Sequence, residues 1–145
     1  MSVRAITASD AAAWRSLFTA YGAFYKSDFS DEVLDRVWAI LLADETLHGL
    51  VAEQDGAVVG IAHYRYHPDT FSGGWDWFLD DLFVAPESRG SGAATTLIEH
   101  LADLARAKGE PSTLRWITAA DNERAQRVYD RVATKTTWVT YEMRP

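Results

Sequence analysis

The chain has 145 residues, of which 48% are hydrophobic and 24% charged, and its formal net charge is −7. This length predicts one domain with a core of its own, and the lack of cysteine excludes disulfides, thiolate metal sites and a cysteine nucleophile. Acidic charge without a basic run argues against nucleic acid, and without a signal peptide or a membrane-spanning apolar run we expect a cytoplasmic protein with no membrane partner.

The first half of the chain combines short apolar strands with two amphipathic helices. A strand is predicted at Val3–Ile6, followed by a helix that begins after capping residues near Asp10 and runs to about Tyr25. Ser30 is predicted to cap a second helix, since acidic residues follow it in the first turn. Two strand-like segments, at residues 50–53 and 58–64, flank Asp55–Gly56, which predicts a hairpin.

The second half alternates strands and helices. The predicted elements are a strand at Trp75–Val84, a helix at Ala93–Lys108 that Gly109 ends, a strand at Leu114–Thr118, a helix from Asn122 to about Val132, and a strand at Thr136–Met143. This order predicts an α/β fold with a mixed sheet, formed by a single domain over residues 1–145.

A glycine-rich corner lies between the Trp75–Val84 strand and the helix that follows. Glycines at 90 and 92 allow a tight turn and a close approach to a ligand, although glycine at such a corner also serves merely to turn the chain. The N–H groups and the positive dipole end of the next helix favour an anion. We therefore predict a phosphate site. Its residues are Arg89, Gly90, Ser91, Gly92, Ala93, Ala94 and Thr95.

Two motifs carry a resemblance to a known family. Arg89, Gly92 and Ala94 fill the defined positions of Arg/Gln-x-x-Gly-x-Gly/Ala, and residues 122–129 fit Asn-x-x-Ala-x-x-x-Tyr about thirty residues later. Both resemble motifs of the GCN5-related N-acetyltransferases (GNAT). The resemblance implies a GNAT fold, in which about four helices flank a central mixed, mostly antiparallel sheet of about six to seven strands. That sheet is splayed between strands 4 and 5 to admit the cofactor.

The resemblance also implies an N-acetyltransferase with acetyl-CoA as cosubstrate. In the family, main-chain groups of the splayed strand bind the pantetheine arm, which corresponds here to Leu82 and Val84. Tyr129 occupies the motif tyrosine, which implies a general acid near the cofactor sulfur; a tyrosine packed on the apolar face of its helix is the alternative. Asn122 either bonds the cofactor or caps its helix.

Adjacent carboxylates at Asp80 and Asp81 interrupt an otherwise apolar run at residues 77–84. Burying a carboxylate without a partner is costly, and aspartate is depleted in strands. Alternation sends the two side chains to opposite faces unless a bulge intervenes, so the sequence leaves open which one faces an acceptor. The strand resembles the acidic strand of spermidine/spermine and Hpa2-like acetyltransferases, where the acids bind or deprotonate an amine. The expected catalytic residues are therefore Tyr129, Asp80 and Asp81.

The expected acceptor is a primary amine of a small cationic molecule, namely a polyamine, a diamine or an amino acid-like compound. A non-catalytic acyl-CoA-binding module and a protein or histone lysine acetyltransferase are the alternatives. Because dimers are common in the family, a homodimer stays open. His63 is expected to be a packed histidine, with a catalytic base as the alternative, and no metal is predicted because the other histidines lack ligand spacing.

An aromatic wall around the acceptor ammonium is a further hypothesis, since aromatic faces attract cations. Most of its candidates suit core or loop positions equally well. They are Tyr21, Phe24, Tyr25, Phe71, Trp75 and Trp77.

Overall fold

The computed structural model describes residues 1–145. Its strands are β1 (Ser2–Ala5), β2 (His48–Gln54), β3 (Ala57–Pro68), β4 (Trp75–Val84) and β5 (Ser112–Arg115). Its helices are α1 (Ala11–Phe24), α2 (Asp31–Ala43), α3 (Ala93–Lys108) and α4 (Glu123–Tyr129). The strands form one sheet in the order β1-β2-β3-β4-β5. Neighbours up to β4 are antiparallel, whereas β5 is parallel to β4, so the sheet is mixed.

Each face of the sheet carries its own hydrophobic cluster. On one face, Trp14 of α1 and Leu41 of α2 pack against Ile61 of β3. On the other, Leu101 of α3 packs with Leu79 of β4. Because helices cover both faces, consecutive residues of the central strands are apolar and pack alternately against one face and the other. Packing on both sides fixes the backbone positions of these strands.

Local signals in the sequence place several elements correctly. The Ser30 hydroxyl accepts a hydrogen bond from the Val33 N–H at 3.2 Å and caps α2, as predicted. Asp55 and Gly56 both have positive φ and form the predicted hairpin turn. The bounds of β4 and α3 agree with the sequence prediction. None of the helices has the combination of length and hydropathy needed to cross a bilayer.

The expectation of six to seven strands is wrong, because the sheet has five. The strand predicted at Thr136–Met143 does not form, and residues 136–145 contain neither helix nor strand. Trp138 is 79% exposed and Tyr141 is 92% exposed. A strand needs a bonded neighbour, and none lies beside this segment. In addition, α4 ends at Tyr129, short of the predicted Val132.

The neighbouring strands β4 and β5 separate part of the way along β4. Their pairing runs from Trp75 with Ser112 to Phe78 with Arg115. Beyond Phe78, β4 continues to pair with β3 on its other side but has no strand on the β5 side. The splay that the resemblance implied between strands 4 and 5 is therefore present, and it leaves one edge of residues 79–84 open.

The N-terminal strand is held to the fold by a partly buried ion pair. The Arg4 guanidinium donates two hydrogen bonds to the Asp10 carboxylate, at 2.8 and 2.9 Å, and the Thr7 N–H donates a third at 2.8 Å. Asp10 is only 4% exposed. The hydrogen bonds from Arg4 are the main cause that lowers the pKa of Asp10 to about 2.

We expect Asp10→Asn to lower the free energy of unfolding at pH 7 by about 1.5–3 kcal/mol, since bonds to a charged group are lost. The folded-state pKa lies below the ordinary value of 3.8, so the contribution is present above pH 4 and is lost as the pH falls toward 2. Urea unfolding of the unaltered protein and of Asp10→Asn, at pH 7 and at pH 3, measures the difference in free energy of unfolding. We expect this difference to be smaller at pH 3. The control is Asp103→Asn, which removes an exposed pair with Arg106; an equal loss in both variants would contradict the prediction.

Candidate active site

A cleft of about 440 Å³ opens where β4 and β5 separate. The end of β4, the loop before α3, the first turn of α3, the end of α1 and α4 all contribute to its lining. This volume is within the range of small-molecule sites. All the residues predicted to bind the cofactor except Ser91 line it: Leu82, Val84, Arg89, Gly90, Gly92, Ala93, Ala94, Thr95 and Asn122.

The loop before α3 depends on glycine at two positions. Gly90 has φ +83° and Gly92 has φ +89°, in the left-handed region that favours glycine. A Cβ added at either position would meet no atom within 4 Å, so the space beside the loop is open. No side chain caps the first turn of α3, which leaves its N–H groups available to a ligand. The loop and helix together form an anion-binding corner.

The charge of the cleft is opposite to that of the whole chain. Arg89, Arg124 and Arg131 line the cleft, and no carboxylate does, although the net charge is −7. The Arg89 guanidinium lies over two aromatic rings, with its Cζ 5.9 Å from the Phe24 centroid and 5.6 Å from the Phe83 centroid. This arrangement suits a polyanionic ligand.

Sequence reasoning missed two of these arginines. Both Arg124 and Arg131 lie in the second motif, but no role was assigned to them. Their contribution depends on α4 packing across the opening from Arg89, which is a tertiary contact. The sequence did contain an indication of their role, because three arginines, at 124, 127 and 131, lie in or just after α4 of a chain with a net negative charge.

The second motif places Tyr129 and Asn122 at opposite ends of α4. The Tyr129 ring lines the cleft and packs edge-on against Trp116, with centroids 5.4 Å apart. Burial raises the pKa of Tyr129, so its phenol keeps its proton at neutral pH. The Asn122 Oδ1 accepts a hydrogen bond from the Ala125 N–H at 3.2 Å. Asn122 therefore caps the helix while also lining the cleft.

A β-bulge interrupts the pairing of β3 with β4 at the acidic pair. His63 pairs with Asp81 and the next residue, Tyr64, pairs with Leu79, so Asp80 is the extra residue. Asp80 accepts from Arg65 and Asp81 contacts His63. His63 and Arg65 are two positions apart on β3, so their side chains lie on the same face of the sheet. Both carboxylates therefore point toward the α1 face, instead of to opposite faces.

The two aspartates differ in their partners. The Arg65 Nε donates to both oxygens of Asp80, at 3.2 and 3.0 Å, and this ion pair occupies that carboxylate. Asp81 lies 2.9 Å from the His63 Nδ1. Neither aspartate is in the lining of the cleft, but Tyr21 is. The Tyr21 ring packs edge-on against Phe83, which also lines the cleft and lies two positions from Asp81 on β4. Asp81 therefore adjoins the cleft at that wall, and burial together with its carboxylate raises the pKa of Tyr21.

Half of the aromatic candidates lie together. Tyr21, Phe24 and Tyr25, at the end of α1, line the cleft. Phe71 is 97% exposed at the tip of the β3–β4 connection. The remaining two tryptophans pack on the α3 face of the sheet. Of the six candidates for an aromatic wall, only Tyr21, Phe24 and Tyr25 line the cleft.

The expectation that His63 is a packed residue is confirmed. Its side chain is 1% exposed, and its Nε2 lies 2.8 Å from the Trp14 Nε1. No group of three or more His, Asp and Glu side chains is arranged as a metal site would require. The imidazole therefore belongs to a hydrogen-bonded chain that runs from the core to Asp81.

Comparisons with known proteins identify the family. Residues 14–133 match the acetyltransferase (GNAT) family, and the chain belongs to it. It is 33% identical over 144 residues to the D-amino-acid N-acetyltransferase HPA3 of Saccharomyces cerevisiae, covering 97% of this chain and 88% of that protein. It is 32% identical over 107 residues to the thialysine N-epsilon-acetyltransferase of Caenorhabditis elegans, covering 70% and 66%.

Solved structures agree with this family. A ribosomal-protein-alanine N-acetyltransferase from Brucella melitensis biovar Abortus 2308 has a TM-score of 0.81 and 25% identity, covering 99% of both chains. The aminoglycoside N-acetyltransferase AAC(6′)-Iy in complex with CoA shares the fold, with a TM-score of 0.83, 22% identity and coverage of 99% and 93%. The fold is the α/β GNAT fold with a single mixed sheet and four helices, and the protein is an acetyl-CoA-dependent N-acetyltransferase.

Proposed function

We propose that this enzyme transfers an acetyl group from acetyl-CoA directly to the primary amine of a small cationic acceptor. Asp81 receives the amine, and Tyr129 is the general acid. Three arginines and no carboxylate line the cleft, whereas Asp81 adjoins the cleft where Tyr21 packs against Phe83. This separation of charge supports two adjoining substrate sites. The phosphates of acetyl-CoA would lie in the cleft, and the ammonium group of the acceptor would lie beside Asp81.

The residues of the cleft fit the cosubstrate. Acetyl-CoA supplies the acetyl group as a thioester. Arg89 and the open first turn of α3 would hold its pyrophosphate. The free edge of β4 beyond Phe78 would bond the amide groups of the pantetheine arm through the backbones of Leu82 and Val84, in the manner of an added strand.

The acceptor amine, which would lie beside Asp81, must lose a proton before it can attack the thioester. An alkyl ammonium with a pKa of about 10.4 is neutral in only about one molecule in a thousand near pH 7.4. Asp81 would attract this ammonium and take its proton, directly or through water. The Tyr129 O–H would donate to the departing thiolate. Holding the two substrates together contributes several kcal/mol of barrier reduction in addition.

Small amines are the favoured acceptors. The two named relatives act on D-amino acids and on thialysine, both of which are small molecules with a primary amine. In this chain, Tyr25 offers an aromatic ring at the cleft, and such a ring contributes about 0.5–2 kcal/mol toward a cation. The Phe24 ring faces Arg89 instead. The proposed class comprises amino acid-like compounds, diamines and polyamines.

The proposal is tested by measuring thiol release from acetyl-CoA with a panel of amines. The panel contains D- and L-amino acids, diamines, polyamines, aminoglycosides and a lysine-rich peptide, and the lack of cysteine keeps the protein background low. We expect turnover with one of the small cationic classes and none with the peptide. Turnover with the peptide alone would favour protein lysine acetylation, and turnover with none of the amines would contradict the proposed acceptor class.

Gly92→Val is expected to weaken acetyl-CoA binding at least about tenfold, because forcing a β-branched residue to positive φ costs on the order of 1–3 kcal/mol and displaces the loop. Titration calorimetry measures the affinity. Gly56→Val is the matched control, because Gly56 also has positive φ and open space but lies in the β2–β3 turn. Equal acetyl-CoA affinity in both variants would count against a phosphate role for the loop.

A further inference from the structure

Three buried or partly buried side chains form a continuous hydrogen-bonded chain beneath the cleft. The Trp14 Nε1 lies 2.8 Å from the His63 Nε2, and the His63 Nδ1 lies 2.9 Å from the Asp81 Oδ2. Trp14 and His63 are each 1% exposed, whereas the Asp81 side chain is 26% exposed. The chain thus begins in the core and ends at a carboxylate that solvent and substrate can reach.

The chemistry of the indole decides the direction of these bonds. An indole N–H donates and does not accept, so the His63 Nε2 must present its lone pair to Trp14. A neutral imidazole carries one N–H, which must then be on Nδ1 and must donate to Asp81. The Phe18 ring packs against the His63 ring in a T-shaped arrangement, with the two ring centroids 4.9 Å apart. No position remains for a second proton on His63 without breaking the bond to Trp14.

We propose that Trp14 fixes His63 in the Nδ1–H tautomer, and that His63 is thereby a positioning residue that holds Asp81 by one oxygen, leaving the other for the acceptor amine. The role of Asp81 toward the amine rests on the function proposed above. Trp14 and His63 do not touch substrate. In this arrangement His63 is not the catalytic base, and a proton taken from the amine goes to Asp81 or to water.

The bulge at Asp80 explains why Asp81 needs a side chain such as His63 to fix its orientation. A bulged residue loosens the ladder locally and twists the strand, so the backbone alone does not fix the direction of the next side chain. Asp80 is held by Arg65 from the surface. Asp81 is held from the core by a rigid ring, which is itself packed between α1 and the sheet. Two adjacent carboxylates on one face of the sheet thus have different partners.

The tautomer is measured directly by long-range ¹H–¹⁵N NMR correlation of the histidine rings in the substrate-free protein. The spectrum of His63→Asn identifies the His63 signals among those of the four histidines. We expect a protonated Nδ1 and an unprotonated Nε2, and we expect Trp14→Phe to give a mixture of tautomers. An Nε2–H tautomer, or a doubly protonated ring, would overturn the proposal.

Two substitutions at His63 separate positioning from packing. The amide N–H of His63→Asn can take the place of Nδ1–H, whereas His63→Leu has similar bulk and no donor. We expect Leu to raise the KM for the amine about tenfold or more, and Asn to stay within about threefold of the unaltered enzyme at equal acetyl-CoA affinity. Equal KM values in the two variants would overturn the positioning role. If the unaltered enzyme turns over no amine at all, the proposed acceptor fails, and the tautomer is still decided by NMR.

Discussion

Tyr129→Phe is expected to lower kcat about 10²-fold and to leave acetyl-CoA affinity nearly unchanged, since general acid catalysis contributes on that scale. The substitution keeps the ring that packs against Trp116 and removes only the hydroxyl. Because the hydroxyl is needed when the thiolate departs, kcat and kcat/KM should fall together. Steady-state thiol release measures both constants, and titration calorimetry measures the affinity.

Tyr25→Phe is the control for this change. Tyr25 lines the same cleft but is 42% exposed and directly follows the last residue of α1. Its hydroxyl has no role in the proposed chemistry, so the control should retain turnover within about threefold. Unchanged turnover in Tyr129→Phe would remove the acid role and leave Tyr129 as a packing residue of α4.

The parts of the structure that the sequence predicted are those with a strong local cause. The long apolar β4 and the periodic α3 ended by Gly109 have the predicted bounds, and the Asp55–Gly56 hairpin follows from two residues. The family resemblance also identified Leu82 and Val84 of β4, most of the loop, and Asn122 and Tyr129 as residues of the cleft. In each case the pattern lies within about a dozen consecutive residues.

The parts that could not be predicted depend on distant neighbours. Apolar alternation at Thr136–Met143 resembles a strand, but strand formation depends on a partner that the segment does not specify. The shared face of Asp80 and Asp81 follows from a bulge whose position is set by the register with β3. Trp14 and His63 are 49 positions apart and meet only because α1 crosses the sheet.

Asp81→Asn is expected to lower kcat/KM for a cationic amine about 10²-fold or more, the scale of a lost general base. The His63 N–H requires an acceptor, so the new amide would turn its oxygen toward His63. Its NH₂ group would then occupy the position that the second carboxylate oxygen had offered to the ammonium. A donor would replace an acceptor there, and the attraction of a full negative charge would be lost. Thiol release with the best amine of the panel measures the change.

Asp80→Asn is the matched control, since it makes the same chemical change one residue away on the same face. It weakens an ion pair to Arg65, a side chain that is 47% exposed, and such pairs contribute little, so kcat/KM should stay within about threefold. A weakly basic amine, largely neutral at the assay pH, should be used about equally well by the unaltered enzyme and by Asp81→Asn, because it has no charge to attract and no ammonium proton to lose. Similar losses in Asp80→Asn and Asp81→Asn with the cationic amine would contradict the assignment of the acceptor to Asp81, because Arg65 occupies the Asp80 carboxylate whereas His63 contacts only one oxygen of Asp81.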